Sequence, residues 1–204
     1  MQLGAEFRQG TEVIGLTRTG ERVTGVKTHG GDIGSDHVVI AAGAWSGLVA
    51  GWLDMAEPTS APGQSEVAAS SVPVWPVRGQ NLNLQPAAGG LRTIVHGSWG
   101  VLVPRNDGSV VTGVTVEEVG FDSRTTVEGI SSILELATRI VPSFGDATLN
   151  WAIAGLRPGS PDEIPVMGAL PGWEGVSVAS GHYRDGISMS AVTGKLMADH
   201  LTGN

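Results

Sequence analysis

Two stretches of the chain hold residue types that could do chemistry. In Gly155-Leu156-Arg157-Pro158 an arginine is bracketed by a glycine and a proline, and a loop stiffened in that way fixes the direction in which the guanidinium points. A planar fork held in one orientation can grip a carboxylate through two parallel hydrogen bonds. The same arginine has Asp162 and Glu163 close by in sequence as partners for a purely structural ion pair. The second stretch is Ser180-Gly181-His182-Tyr183-Arg184-Asp185-Gly186, between an apolar strand and a helix expected to start near Ile187. A glycine-bracketed turn leading into a helix offers backbone N–H groups and the positive end of the helix dipole to an anionic group above it. A plain strand–turn–helix packing unit has the same pattern, so both readings stand. His182 and Tyr183 suit a pocket lining or a packed position, and Arg184 has Asp185 beside it. Trp45, Trp75, Trp99 and Trp151 are expected in the core.

Other chemistries are excluded by what the chain lacks. It has no cysteine, and its five histidines (His29, His37, His96, His182 and His200) show no metal-ligand spacing, so no metal site is expected. Twelve Lys and Arg against 20 Asp and Glu give a net charge of -8, the wrong sign for a nucleic-acid partner. No run approaches the roughly 20 apolar residues of a membrane span. The start MQLGAEFRQG has neither the basic nor the apolar region of a signal peptide. The default compartment is the cytoplasm, and a homo-oligomer is compatible with this composition.

These candidate residues need elements to position them. Val13–Leu16, Val23–Lys27 and His37–Ala42 read as an antiparallel meander with turns at Thr19-Gly20 and Gly30-Gly31-Asp32. The last strand is apolar on both faces, as a doubly covered strand would be. Gly43 ends it, and Ser46 is placed to begin a short helix. Residues 57–72 are small, polar and proline-punctuated, a linker. Beyond it, Val74–Val77, Gln80–Leu84, Thr93–His96, Gly100–Val103 and Ser109–Val116 predict an antiparallel sheet. Thr125-Thr126-Val127-Glu128 is a capping box opening a helix whose apolar stripe is Val127, Ile130, Leu134, Ala137 and Val141, stopped by Pro142. After Asn150 the chain reads as turn-rich, then as a strand Gly175–Ala179 and a helix from about Ser188 to Leu201, with Gly203 behind it.

Six segments in order, VVIAAGAWS, PVRGQ, VLVPRNDG, VTGVTVEEVGFD, WAIAGLRPGSPDEIPVMG and ASGHYRDGI, resemble the FAD-dependent glycine oxidases of the D-amino-acid-oxidase superfamily. The resemblance covers nearly the whole chain apart from the linker. It implies a mixed α/β (α+β) fold: a partial Rossmann-like FAD-binding domain, made by residues 1–56 and 154–204, and an inserted antiparallel-sheet substrate domain over 73–153. It implies FAD as cofactor and oxidative deamination of glycine or another small amino acid or amine, with O₂ as acceptor and hydrogen peroxide as product. In some relatives this feeds thiamine biosynthesis. By the same resemblance Arg157 binds the substrate carboxylate. Gly181, His182, Arg184, Gly186 and Ile187 form the loop along the flavin ring, with Arg184 also facing substrate. Val13 meets the adenine end of the cofactor, and Gly43, Ala44 and Trp45 lie beside it. No catalytic acid–base residue is expected, because orientation and electrostatics supply most of the rate in such chemistry.

Three departures from the pattern bear on function. Val101 stands where these oxidases place a tyrosine that bonds the carboxylate. Asp185 stands where asparagine is common. The fingerprint G-x-G-x-x-G, which seats a pyrophosphate on a helix N-terminus, has no counterpart in this sequence. The family pattern puts it ahead of residue 1, so the chain is expected to be the C-terminal part of a longer flavoenzyme or a truncated form with weak flavin affinity. Two alternatives remain open at this point. One is another amine oxidase of the superfamily or a D-amino-acid dehydrogenase; the other is a non-catalytic remnant or binding module.

Overall fold

The computed structural model describes residues 4–53, 72–97 and 100–204. The chain divides into two units, one made of residues 1–75 and 158–204 and the other of Pro76–Arg157. The linker expected over 57–72 lies outside the described residues except for Val72, as does Trp99.

The first unit holds two three-stranded sheets. β1 (Val13–Thr19), β2 (Arg22–Thr28) and β3 (Gly31–Gly34) form an antiparallel meander. Gly31 and Asp32, expected in a turn, already pair with Thr28 and Lys27. β4 (Val38–Ile40) runs parallel to β11 (Val176–Ser180), which pairs antiparallel with β10 (Val166–Ala169). β4 is shorter than the apolar run predicts, because only Val38, Val39 and Ile40 find partners on β11. It is a sheet edge, and Val39 is 37% exposed, so the expectation of cover on both faces fails. Leu16, Val23, Ile40, Val49, Leu53, Val176 and Val178 form the core. Trp52 and Trp173 pack against it. By contrast Trp45, expected in the core, is half-exposed.

The short helix expected from Ser46 begins earlier, as a 3-10 helix over Gly43–Leu53. The final helix, α2 (Ser190–Thr202), ends at Gly203 in the left-handed conformation with φ +73°. A glycine at that position is the common way of closing a helix.

The second unit is built on a five-stranded sheet in the order β6-β7-β8-β5-β9. Val74–Val77 and Gln80–Leu84, read as two strands, are one continuous strand, β5 (Trp75–Gln85). β6 (Val95–Gly97), β7 (Gly100–Pro104) and β8 (Val110–Gly113) follow. The segment after Asn150, read as turn-rich, is in fact a 12-residue strand, β9 (Thr148–Gly159). Its side chains alternate between exposed and half-buried from Trp151 to Leu156, the period of a strand with one face covered. Proline is tolerated there because β9 is an edge strand. Trp151, also expected in the core, is 39% exposed on this strand.

α1 (Val127–Ile140) packs over this unit, its cap one residue later than the sequence predicts. Thr126, not Thr125, is the N-cap, accepting from the Gly129 amide at 3.1 Å. The reciprocal bond comes from another element. Gln80 Oε1 on β5 accepts the Thr126 N–H at 2.8 Å, where a capping box would use the helix's own Glu128. The buried stripe is Gly129, Ile133 and Ala137, while Val127 is 86% exposed. Of the expected stripe, Ala137 is in the core of this unit and Leu134 and Val141 pack against it, whereas Val127 faces outward.

Candidate functional site

Arg157 lies on β9 rather than in the expected loop, and two of its neighbours are Thr115 and Gly79. Its Nη1 donates to the Thr115 carbonyl at 3.3 Å. Its guanidinium lies over the backbone of Gly79 on β5, so closely that a Cβ at Gly79 would overlap the guanidinium carbon and both terminal nitrogens. Glycine at 79 leaves room for the arginine in this position. Nearby in sequence, Asp162 accepts from the Ile164 amide at 3.0 Å.

The two sequence neighbours of Gly79, Arg78 and Gln80, are buried and join a polar network. Arg78, 4% exposed, pairs with Glu117 through Nε at 3.1 Å and through Nη2, and with Asp122 at 3.1 Å. Gln80 Nε2 donates to Glu117 Oε1 at 2.8 Å, and Thr115 Oγ1 donates to the same oxygen. Burial alone would raise the Glu117 pKa, but the donors Arg78, Thr115 and Gln80 together outweigh it and hold the carboxyl below its ordinary value. The Arg124 side chain and amide, with Arg78, hold Asp122 well below the usual carboxylate range.

In the first unit, the segment 180–190 joins β11 to α2. Ser180 Oγ donates to the Gly43 carbonyl at 2.9 Å, and Ser46 Oγ donates to Ser180 Oγ at 2.9 Å. Both serines are buried. The pair ties the end of β4, where Gly43, Ala44 and Trp45 sit, to the start of the loop. Gly181 adopts φ +76°, and a Cβ there would meet the Val166 nitrogen at 3.2 Å and Ser160 Cβ at 3.4 Å. His182 Nε2 bonds Thr193 Oγ1 on α2 at 2.9 Å. Tyr183 holds a left-handed φ of +49° and donates its amide to the Pro158 carbonyl at 3.0 Å. The Arg184 guanidinium sits 5.0 Å from the Tyr183 ring centre and 3.5 Å from its hydroxyl. It makes no ion pair with the adjacent Asp185 among the described residues. The Tyr183 hydroxyl first, against partial burial, raises its pKa.

The turn into α2 starts at Asp185, whose carbonyl accepts the Met189 amide and the Ser188 hydroxyl, both at 2.9 Å. Among the described residues the amides of Gly186, Ile187 and Ser188 bond no protein acceptor. Ile187 is 93% exposed. This donor set, three amides at the positive end of a 13-residue helix, fits the electron-rich edge of a flavin ring. Val13 opens β1 opposite Thr28, in the other sheet of this unit.

The sequence pointed to Arg157 and to the 181–187 loop but missed what orients them: Gly79, Thr115 and the Ser46–Ser180 pair. A signal for Gly79 was present, since a glycine inside a strand marks the close approach of another group. Thr115 and the serines gave none, because their partners are distant in the chain.

The same segments are shared with known proteins. Residues 1–200 match the model of the family described as DAO, FAD dependent oxidoreductase. The chain belongs to this family. As a DAO-family protein it is 37% identical over 200 residues to glycine oxidase of Pseudomonas aeruginosa, covering 97% of this chain and 50% of that enzyme. It is 32% identical over 203 residues to the bifunctional protein ThiO/ThiG of Trichormus variabilis, covering 98% of this chain and 28% of that one. Glycine oxidase from Bacillus cereus superposes with a TM-score of 0.79 at 30% identity, covering 95% of this chain and 50% of that structure. This DAO-family chain thus spans about half the length of the glycine oxidases it matches. FAD is the cofactor of the family. No helix among the described residues is long and apolar enough to cross a membrane.

Proposed function

We propose that this chain supplies the substrate-carboxylate grip and part of the flavin seat of an FAD-dependent oxidase acting on glycine or another small amino acid or amine. The observation that carries the reading is Arg157, a guanidinium packed against Gly79 and donating to the Thr115 carbonyl. A fork fixed in this way binds a carboxylate with little rotamer entropy left to lose.

When bound, FAD supplies the two-electron acceptor. The chain's own residues then have modest tasks. Arg157 binds the carboxylate and fixes which face of the α-carbon is presented. The Gly186, Ile187 and Ser188 amides and the α2 dipole favour negative charge at the flavin edge. Gly43, Ala44, Trp45, His182 and Arg184 line the flavin seat in this reading, and Val13 meets the adenine end. Similarity to the ThiO/ThiG protein supports a product that feeds thiamine biosynthesis.

Val101 lies in the sheet opposite Gly113, which is itself opposite Asn81 on β5, two residues along from Gly79. A valine in that row offers apolar surface in place of a phenol, which favours a substrate with an added methyl, such as sarcosine or D-alanine, over glycine.

The experiment is a hydrogen-peroxide assay of the flavin-loaded enzyme on glycine, sarcosine and D-alanine. Peroxide from at least one of them is the expected result. Dye reduction without peroxide would replace the oxidase by a dehydrogenase, and neither signal on any of the three would overturn the reading.

A further inference from the structure

We propose that Thr115 and Glu117 are positioning residues for Arg157: one partly buried carboxylate anchors both the acceptor that tethers the guanidinium and the strand that floors it. The inference rests on the reading of Arg157 as the carboxylate grip.

Thr115 has two oxygens with separate tasks. Its carbonyl accepts from Arg157 Nη1. Its hydroxyl accepts the Gln80 amide at 2.9 Å and donates to Glu117 Oε1. Those two side-chain bonds, to β5 and to Glu117, hold in place the Thr115 Cα from which the carbonyl that accepts from Arg157 extends. Glu117 in turn receives four donors: Arg78 Nε and Nη2 on one oxygen, Gln80 Nε2 and the Thr115 hydroxyl on the other. Backbone bonds run both ways between Arg78 and Glu117, at 2.9 and 3.0 Å.

Gly79, the floor under the guanidinium, is the residue between Arg78 and Gln80. Both of its neighbours are held by Glu117. Floor and tether thus move together, and the guanidinium on them keeps one direction. Such second-layer bonds decide whether a site holds its productive geometry, since a misplacement of about 1 Å can cost about 100-fold in rate. A merely stabilising ion pair would hold Arg78 and Glu117 together without any link to the arginine. Here the link is the Thr115 residue itself.

The test uses the holoenzyme, acetate as the probe of carboxylate binding read by titration calorimetry, and steady-state kinetics on the best substrate. Thr115→Val keeps the shape and removes the hydroxyl. It is expected to weaken acetate binding about tenfold and to raise KM by a similar factor, with kcat changed much less. Thr115→Ser is expected to restore both. Glu117→Asp keeps the charge beside Arg78 but draws the carboxylate back from Thr115, and is expected to weaken acetate binding in the same direction; it serves if Thr115→Val does not fold. Arg157→Lys is the reference. If Arg157→Lys loses acetate while folded Thr115→Val and Glu117→Asp bind it like wild type, the positioning role is wrong and the grip stands. If Arg157→Lys also binds acetate like wild type, the grip itself is wrong.

Discussion

The Arg157 guanidinium occupies the space that a side chain at residue 79 would need. Two strands, β5 and β9, are brought into this relation by the sheet, and glycine is the one residue type that leaves the space open.

Gly79→Ala should therefore act as an Arg157 variant without altering Arg157. The added methyl either tilts the guanidinium or pushes β9 away, and carboxylate binding should fall about tenfold or more. Acetate titration checks this, with thermal unfolding to confirm the fold. Wild-type affinity in a folded Gly79→Ala protein would show that the arginine has room to spare.

Gly181→Ala meets two obstacles, a left-handed φ and the Val166 nitrogen at 3.2 Å. The cost should be about 1–3 kcal/mol, concentrated in the loop ahead of α2. Flavin content per mole of purified protein is the measurement. We expect it to drop, with a smaller change in the unfolding midpoint; unchanged flavin retention would remove this loop from the seat.

Thr126→Ala removes the side-chain half of the α1 cap and should cost about 1 kcal/mol. Gln80→Ala should cost more, roughly 2–4 kcal/mol, because the side chain bonds Thr126 and Glu117 together in a fully buried place. Urea unfolding of both variants gives the order directly. The reverse order would mean that α1 is capped locally and not from the sheet.

His37 sets a pH dependence. Its Nε2 bonds buried Ser177 Oγ at 2.9 Å, and the same oxygen is 3.1 Å from His200 Nε2. Burial first, then His200 and Arg22, lowers the His37 pKa below its ordinary value. The unfolded chain therefore takes up this proton at higher pH than the folded one. The stability due to neutral His37 is complete above about pH 6.5 and is lost as pH falls through the lower folded value. The urea midpoint should fall between about pH 7.5 and about pH 5.5, and less steeply in His37→Gln. Identical slopes in the two proteins would place the titration elsewhere.

Much of the first unit was legible because its signals are local. The first two strands of the meander need only alternation and a glycine turn, and the final helix is marked by Gly203; the third strand, expected at His37–Ala42, is instead Gly31–Gly34, because Val38–Ile40 finds its partner on the distant β11. The misreadings share a cause. Gly155 and Pro158 read locally as breakers, whereas an edge strand tolerates a proline whose missing N–H no neighbour requires. A capping box points to Thr125 because its bonds are local to the helix, whereas Gln80 supplies the bond from 46 residues away. Residue type alone points Trp45 and Trp151 to the core, but burial of a large side chain depends on which face its element turns inward.

The sequence by itself determined the family, the arginine and the glycine-bracketed loop, since each is a run of consecutive residues whose chemistry is readable in place. Only the tertiary structure decided what holds them. Thr115 and Gly79 reach Arg157 from 42 and 78 positions away in the chain, and Ser180 reaches Ser46 across 134. Orientation is a property of such long-range contacts: a hydrogen bond is made by whichever groups the packed strands bring within about 3 Å, and no local spacing records which ones those will be.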